Sequence, residues 1–325
     1  DPSWPTGGDG TVDRSGAVCF ACGAAVPFTY IRTDGQSERI GAQLMATVAD
    51  GNRRRVYLAP EPTQLDAAET ASDADAPEGT LFDWPGRINV VRYGMTEFKD
   101  LFTNRQLVAL TTFSDLVTEA RGKALTDAHA AGIPAGERLN DGGIGAEAYA
   151  DAIATYLGMG VSRMTDINNA LCRWENTKEQ VRNLFSRQAI PMLWDFAEPP
   201  PFGKAAGSFT TSLNNLAKAI PSLEAGAPDS VVDQASAENA AATDVVISTD
   251  PPYYDNIGYS DLSDFFYVWL RRSLRPIYPQ LLGTLLVPKA EELVANPYRR
   301  GGKEEAKEFF ESGFREVFAK ARLSA

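Results

Sequence analysis

Asp250-Pro251-Pro252-Tyr253 is the segment of this chain best suited to chemistry. A carboxylate, two carbonyls on a proline-stiffened backbone and an aromatic ring follow one another directly. The exocyclic amine of adenine is planar, and its lone pair is delocalised into the ring, so it is a poor nucleophile. Asp250 and the Pro251 carbonyl can each accept a hydrogen bond from such an NH₂ group. That fixes the nitrogen and builds electron density on it as a methyl group approaches in line. Pro252 stiffens the turn, because proline has a fixed φ and no N–H to donate. Tyr253 can stack on a base taken out of the helix, with Tyr254, Asp255 and Asn256 as the rim of the pocket. Asn256 can touch the base or the DNA backbone, or simply cap the turn. The plain alternative for the whole motif is an ordinary strand-ending turn with a buried tyrosine.

The flanking residues supply a frame for that turn. Val245, Val246 and Ile247 are β-branched and read as a buried parallel strand, which the prolines end. In open α/β sheets the carboxyl end of a strand is where ligands bind. Beyond the turn, Ser260 is placed as a helix N-cap, and Asp261 and Asp264 fall where the helix dipole favours anions. Leu262, Phe265, Phe266, Trp269 and Leu270 recur at helical spacing and make one apolar face. Arg271, Arg272 and Arg275 close the other end. Residues 229–325 are therefore expected to be half of a doubly wound, Rossmann-like α/β sheet, with SVVDQ and VVIST as strands. KEEAKEFFESGFREVFAKARLSA then reads as an amphipathic helix. Asp233 lies near the place from which such a sheet contacts a cofactor's adenine, although the match around it is poor.

Upstream, residues 1–60 read as short β segments: AVPFTYIRT, AQLMATVAD and RRVYLAP. Cys19-Phe20-Ala21-Cys22-Gly23 has the form of a zinc knuckle. A tetrahedral thiolate site needs two such pairs, so Cys19 and Cys22 make half a metal site. Cys172 and the sole histidine, His129, are far away in sequence. Residues 61–95 are expected to be linker and irregular structure, exposed from Ala59 to Glu78 for want of any apolar period. From about Phe98 to Arg187 helical spacing dominates, which makes 96–228 a helical insertion. Phe98, Leu101 and Phe102, then Leu107, Leu110, Phe113 and Val117, form apolar stripes, and Tyr149–Trp174 reads as a second helical region. Gly142-Gly143-Ile144-Gly145 follows the polar GERLND rather than an apolar strand, which makes it a flexible loop before a helix. MLWDFAEPPPF at 192–202 sets two aromatic residues around Asp195, with Glu198 nearby. It lines a substrate pocket or, more simply, braces the fold.

Composition sets further bounds. The 325 residues carry a formal net charge of −12, with a pI near 4.7. That is awkward for a nucleic-acid binder, whose footprint should be basic. Arginine outnumbers lysine, and the acidic, lysine-poor balance is the kind a halophile or a high-GC genome produces. Local basic clusters survive at Arg53-Arg54-Arg55, Arg271-Arg272 and Arg299-Arg300. Each is most simply a solvated face, and the first is the best DNA-contact candidate. Three cysteines cannot build a disulfide framework, which points to a reducing, cytoplasmic compartment. No targeting or transmembrane segment is evident, so no membrane partner is expected.

The run TDPPYYDNIGYSDLSDFFYVWLRRSL, followed by YPQLLGTLLVPKAEELVANPYR, resembles a family of prokaryotic adenine-specific DNA methylases. These are large proteins that open with a domain of unknown function and carry a zinc ribbon inside the methylase. LFTNRQLVALTTFSDLV, AYADAIATYLGMGVSRMTDINNALCRWE and FSRQAIPMLWDFAEPPPF look like family segments in the family order. The likeness spans nearly the whole chain and is weakest around 61–86 and 205–240. It implies S-adenosylmethionine-dependent methylation of adenine N6 in DNA, with Asp250, Pro251, Pro252 and Tyr253 as the catalytic motif and 96–228 as a helical insertion that serves target recognition. It also exposes departures. Such methylases hold the cofactor in a glycine-rich turn, Asp-Pro-Phe-x-Gly-Gly-Gly, and nothing here fits that form. Where the family has Asn-Pro-Phe, this chain has Pro200-Pro201-Phe202, which removes a polar side chain. The resemblance therefore implies an internal fragment cut through its zinc ribbon, or else a separate subunit that meets an S-adenosylmethionine-binding chain. In both cases this chain supplies the acceptor half, is inactive alone, and belongs to an assembly that holds zinc. Two other readings stay open: a non-catalytic module that binds nucleic acid or a partner, and a methylase acting on RNA or a protein amide. Amine methylases acting on glutamine usually carry asparagine in place of Asp250, which favours adenine.

Overall fold

The computed structural model describes residues 11–69, 75–223, 232–239, 245–255 and 257–324. These residues are mixed α/β, with small antiparallel sheets around a helical centre. In chain order the elements begin with a hairpin of β1 (Gly16–Val18) and β2 (Ala25–Pro27), followed by α1 (Phe28–Gln36). A second hairpin, β3 (Thr47–Asp50) and β4 (Arg55–Leu58), leads to α2 (Pro62–Glu69). The long helices α3 (Asn104–Ala130) and α4 (Ala146–Thr165) come next, then the hairpin β5 (Arg173–Glu175) and β6 (Gln180–Arg182). The rest is α5 (Phe209–Ala219), α6 (Tyr259–Leu274), the single turn α7 (Pro297–Arg300) and α8 (Lys303–Ser324).

The centre is built where α3, α4 and α6 pack together. Helix α3 starts cleanly because Thr103 and Gln106 form a reciprocal capping box, each side chain bonding the other's amide. Its Leu107 and Leu110 enter the core with Phe98, Leu101, Met164, Ile190, Phe265 and Trp269. Phe102 stacks on Phe265 at 5.6 Å and meets Trp269 edge-on at 5.3 Å. Each such buried side chain contributes roughly 1.5–3 kcal/mol of transfer free energy, so this aromatic knot is what fixes α6. A buried carboxylate ties α3 to α4. Asp151 accepts from Arg121 at 2.6 Å and from Arg138 at 2.7 Å. Burial opposes its ionisation, but the two guanidiniums outweigh burial and hold its carboxyl below the usual range.

Several local expectations are corrected. AVPFTYIRT is a strand only over Ala25–Pro27 and then turns into α1, with Pro27 as its N-cap and Ile31 facing inward. The stretch expected to be a bare linker contains α2, which places Pro62 at its first position, where the missing N–H costs nothing. The second helical region ends at Thr165 and not Trp174. Asn168 and Asn169 donate their amides to the Met164 and Thr165 carbonyls, taking over acceptors a longer helix would use. Cys172 therefore sits in a loop, fully buried, and Trp174 lies in β5.

The largest difference concerns 245–249. Among the described residues of 229–325 no strand forms. Val246 is 99% exposed, and Val245 and Ile247 are also exposed. Asp233 and the described part of SVVDQ are exposed and irregular as well. A parallel strand is stabilised only by neighbours on its edges, and none of the described strands lies beside this run. Residues 224–231, where the helical insertion meets this half, lie outside the described residues.

Candidate active site

The acceptor motif forms an exposed turn on a heavily anchored base. Asp250 and Pro251 are exposed, Pro252 is half-buried, and Tyr253 is 60% exposed. Asp250 makes no hydrogen bond or ion pair with any described residue, and the Pro251 carbonyl accepts none. The turn is closed behind them by the Tyr254 amide, which donates to the Pro252 carbonyl at 3.1 Å. Tyr254 adopts φ 49°, a left-handed conformation uncommon for a non-glycine residue. Two contacts hold it there: the Ala295 amide donates to its carbonyl at 3.0 Å, and its ring meets Phe310 of α8 edge-on at 4.9 Å. Asp255 is exposed, and Asn256 lies outside the described residues.

The far end of the turn is fixed by packing. Ile257 enters the main core, and Gly258 is pressed against Trp84. A Cβ on Gly258 would fall 2.1 Å from that indole, so only glycine allows the approach. Gly258, not Ser260, is the N-cap of α6. Ser260 sits inside the helix, donating its backbone amide and its hydroxyl to Glu292, at 2.9 and 2.5 Å.

Ser260 belongs to an ion cluster behind the turn. Arg299 donates to Asp261 at 2.6 Å and to Glu292 at 2.8 Å. Lys289 pairs with Asp264 at 2.6 Å, and the Val287 amide donates to the other Asp264 oxygen. Both aspartates are almost completely buried. Burial pushes the Asp261 carboxyl up to about 6 even though Arg299 pulls it down, and burial also raises Asp264. Asp261 Oδ1 has no partner among the described residues. These three carboxylates and two cations clamp the first two turns of α6 to the 287–299 segment. Lys289, Glu292 and Arg299 were not legible as site-building residues. Their only signal was the segment VPKAEELVANPYR itself.

No family model, curated protein or solved structure matches the chain.

The other expected sites separate from this one. Glu198 is held by Arg105 at 2.6 Å, a bracing pair, while Asp195 is exposed. Trp194 packs edge-on against Tyr93 at 5.3 Å. Pro200 is exposed and Phe202 lies over Phe113 at 5.6 Å, so this segment braces α3. Arg299 and Arg300 do not form the solvated face expected of them. Arg299 is half-buried in the ion cluster, and the Arg300 guanidinium stacks 3.4 Å from the Phe309 ring centroid. Arg272 pairs with Asp115 at 2.8 Å.

Cys19 and Cys22 occupy the turn between β1 and β2. The Cys19 amide donates to the Ala24 carbonyl and the Gly23 amide to the Cys19 carbonyl. The Cys22 and Ala21 amides, together with the Cys22 side chain, lower the pKa of the Cys19 thiol. That is the polarity a thiolate ligand requires. Cys172 differs: burial drives its pKa up to about 12. No third or fourth ligand stands near the pair among the described residues, so the metal half-site stays a half-site and carries no chemistry by itself. The glycine loop before α4 does not fit S-adenosylmethionine. A Cβ on Gly143 would lie 2.1 Å from the Glu137 carbonyl, and one on Gly145 would lie 2.6 Å from the Pro134 carbonyl. These glycines make room for the chain's own backbone and leave no cradle for a ligand. No helix among the described residues is long and apolar enough to cross a membrane.

Proposed function

We propose that this chain supplies the acceptor half of an S-adenosylmethionine-dependent DNA adenine-N6 methyltransferase. One observation carries the reading: Asp250, the Pro251 carbonyl and the Tyr253 ring are exposed and unengaged on a turn whose base is fixed by Tyr254, Ile257 and Gly258. Acceptor groups held open on a rigid base suit the capture of a planar amine. Asp250 accepts one N6 hydrogen and the Pro251 carbonyl the other. Both hydrogen bonds oppose delocalisation of the nitrogen lone pair and aim it outward. Tyr253 stacks on the flipped base, and Pro252 prevents the turn from swinging. Tyr254 and Asp255 form the rim, together with Asn256.

The methyl donor has no cradle among the described residues, so a cofactor-holding half, on the same polypeptide or on a separate chain, completes the site. The unpaired, apolar 245–249 run fits that arrangement. It would become a central strand of a doubly wound sheet once neighbouring strands flank it on both edges. The resemblance to zinc-ribbon DNA methylases supports the same reading, including zinc at Cys19 and Cys22 when a second pair is present.

The test is made in the organism's own gene. Asp250→Ala abolishes one set of methylated adenines in the genome, read by single-molecule sequencing. Tyr253→Ala lowers it roughly 5- to 150-fold in initial rate, the equivalent of about 1–3 kcal/mol of base stacking. Methylation at the wild-type level in both variants would rule the assignment out.

A further inference from the structure

Two β-hairpins distant in sequence meet at Tyr57. Trp174 Nε1 donates to the Tyr57 hydroxyl at 3.2 Å, and the two rings stand edge-on with centroids 6.3 Å apart. The same hydroxyl donates to Glu179 at 3.5 Å. The β3–β4 hairpin, 47–58, is thereby joined to the β5–β6 hairpin, 173–182.

Their joint surface is basic in an acidic molecule. It carries Arg53, Arg54, Arg55, Arg173, Lys178 and Arg182 against Asp50, Glu175 and Glu179, while the whole chain has a net charge of −12. Asp50 is taken up by Arg55 and Glu175 by Arg182. Arg53, Arg54, Arg173 and Lys178 are exposed, and none of their side chains makes a hydrogen bond or salt bridge with a described residue. Tyr57 is 54% exposed beside them.

Arg53 carries a separate mark. It sits in the loop between β3 and β4 with φ 61°, where glycine or asparagine would be unstrained. No described residue bonds to the arginine side chain there.

We infer that the joined hairpins form a docking surface for the DNA phosphate backbone, with Arg53, Arg54, Arg173 and Lys178 as the phosphate contacts. A local positive surface on an acidic body attracts a polyanion to that one face and repels it elsewhere. The inference rests on the DNA reading of the acceptor site, but it concerns holding the duplex and not methylating it.

The experiment uses the full chain and a short fluorescein-labelled duplex, with binding followed by anisotropy over a range of salt concentrations. The wild type binds, and its affinity falls linearly in a log–log plot against salt. The double substitution Arg53→Gly with Arg54→Ser reduces that slope by about two and weakens low-salt binding about tenfold. Its melting temperature is unchanged or higher, since glycine relieves the φ at position 53. Arg173→Ser with Lys178→Ser has the same effect on binding. Wild-type affinity and slope in both double variants would overturn the proposal, as would absence of duplex binding or tighter binding of an RNA duplex of the same sequence. Loss of adenine methylation in the Asp250→Ala gene is read independently, so failure of docking and failure of the acceptor assignment are distinguishable.

Discussion

Asp250 and Asp261 stand on either side of one short turn, yet their surroundings are opposites. Asp250 is exposed and has no partner among the described residues, while Asp261 is 2% exposed and locked to Arg299. Around Asp250 the chain leaves carbonyl and carboxylate oxygens open. Around Asp261 it spends Arg299, Lys289, Glu292 and Ser260 on fixing two turns of α6. The contrast separates two tasks that sequence places side by side. Groups that meet a substrate must be left unsatisfied, and groups that hold them still must be satisfied completely.

Breaking the buried side should cost the most. Arg299→Ala leaves Asp261 and Glu292 facing each other without a cation, and stability should fall by about 3–5 kcal/mol, the usual effect of removing one partner from a buried ion cluster. Urea unfolding measures this. A loss under about 1 kcal/mol would mean that the cluster adds little beyond a surface salt bridge. Gly258→Ala should cost less, about 1–3 kcal/mol by overpacking against Trp84. Altered Trp84 fluorescence should accompany it, and an unchanged spectrum and midpoint would show that the turn is not pinned there.

A pH titration sharpens the comparison further. Burial pushes the Asp261 carboxyl up to about 6 in the folded protein, above the roughly 4 of a free aspartate. Between those values the native state holds a proton that the unfolded chain has released. Stability contributed by Asp261 is therefore fully present below about pH 4 and declines as pH rises towards 6. Asp264 shifts in the same direction, so the clean measurement is the stability difference between wild type and Asp261→Asn across pH 4–7. The wild type should lose ground relative to the variant as pH rises through that window. A flat difference would place Asp261 in a wetter site than the geometry gives it. Asp250→Ala is the smallest effect on stability, within about 0.5 kcal/mol, as for other exposed substitutions.

What the sequence disclosed follows the same division. Helix α6, the β3–β4 segments, α3 and α8 were legible because their residue spacing is a local signal. The open turn was legible because Asp-Pro-Pro-Tyr is both locally rigid and chemically particular. Arg299 was not, because its neighbours alone make it look like half of a surface Arg-Arg pair, and the carboxylates that bury it come from α6 and position 292. Ser260 misled for a related reason. It is a good capping residue by type, but Glu292 takes both its amide and its hydroxyl. The 245–249 run shows the limit most clearly. Valine and isoleucine favour strands only where neighbours supply a ladder, and an apolar run without one stays exposed. The linker expected from Ala59 to Glu78 lacked an apolar period, yet Pro62 at the first position of α2 starts a helix there.

The claim that Asp250 serves the adenine amine of DNA is tested most directly by following the methyl group. Cells carrying the wild-type gene or Asp250→Ala are fed methyl-labelled methionine, and nucleosides and amino acids from DNA, RNA and protein are separated by mass spectrometry. Labelled N6-methyladenine in DNA should be present with the wild type and lost with the variant, at equal protein level and equal thermal stability. Undiminished label in DNA, with the loss falling on RNA or on methylated glutamine, would contradict it.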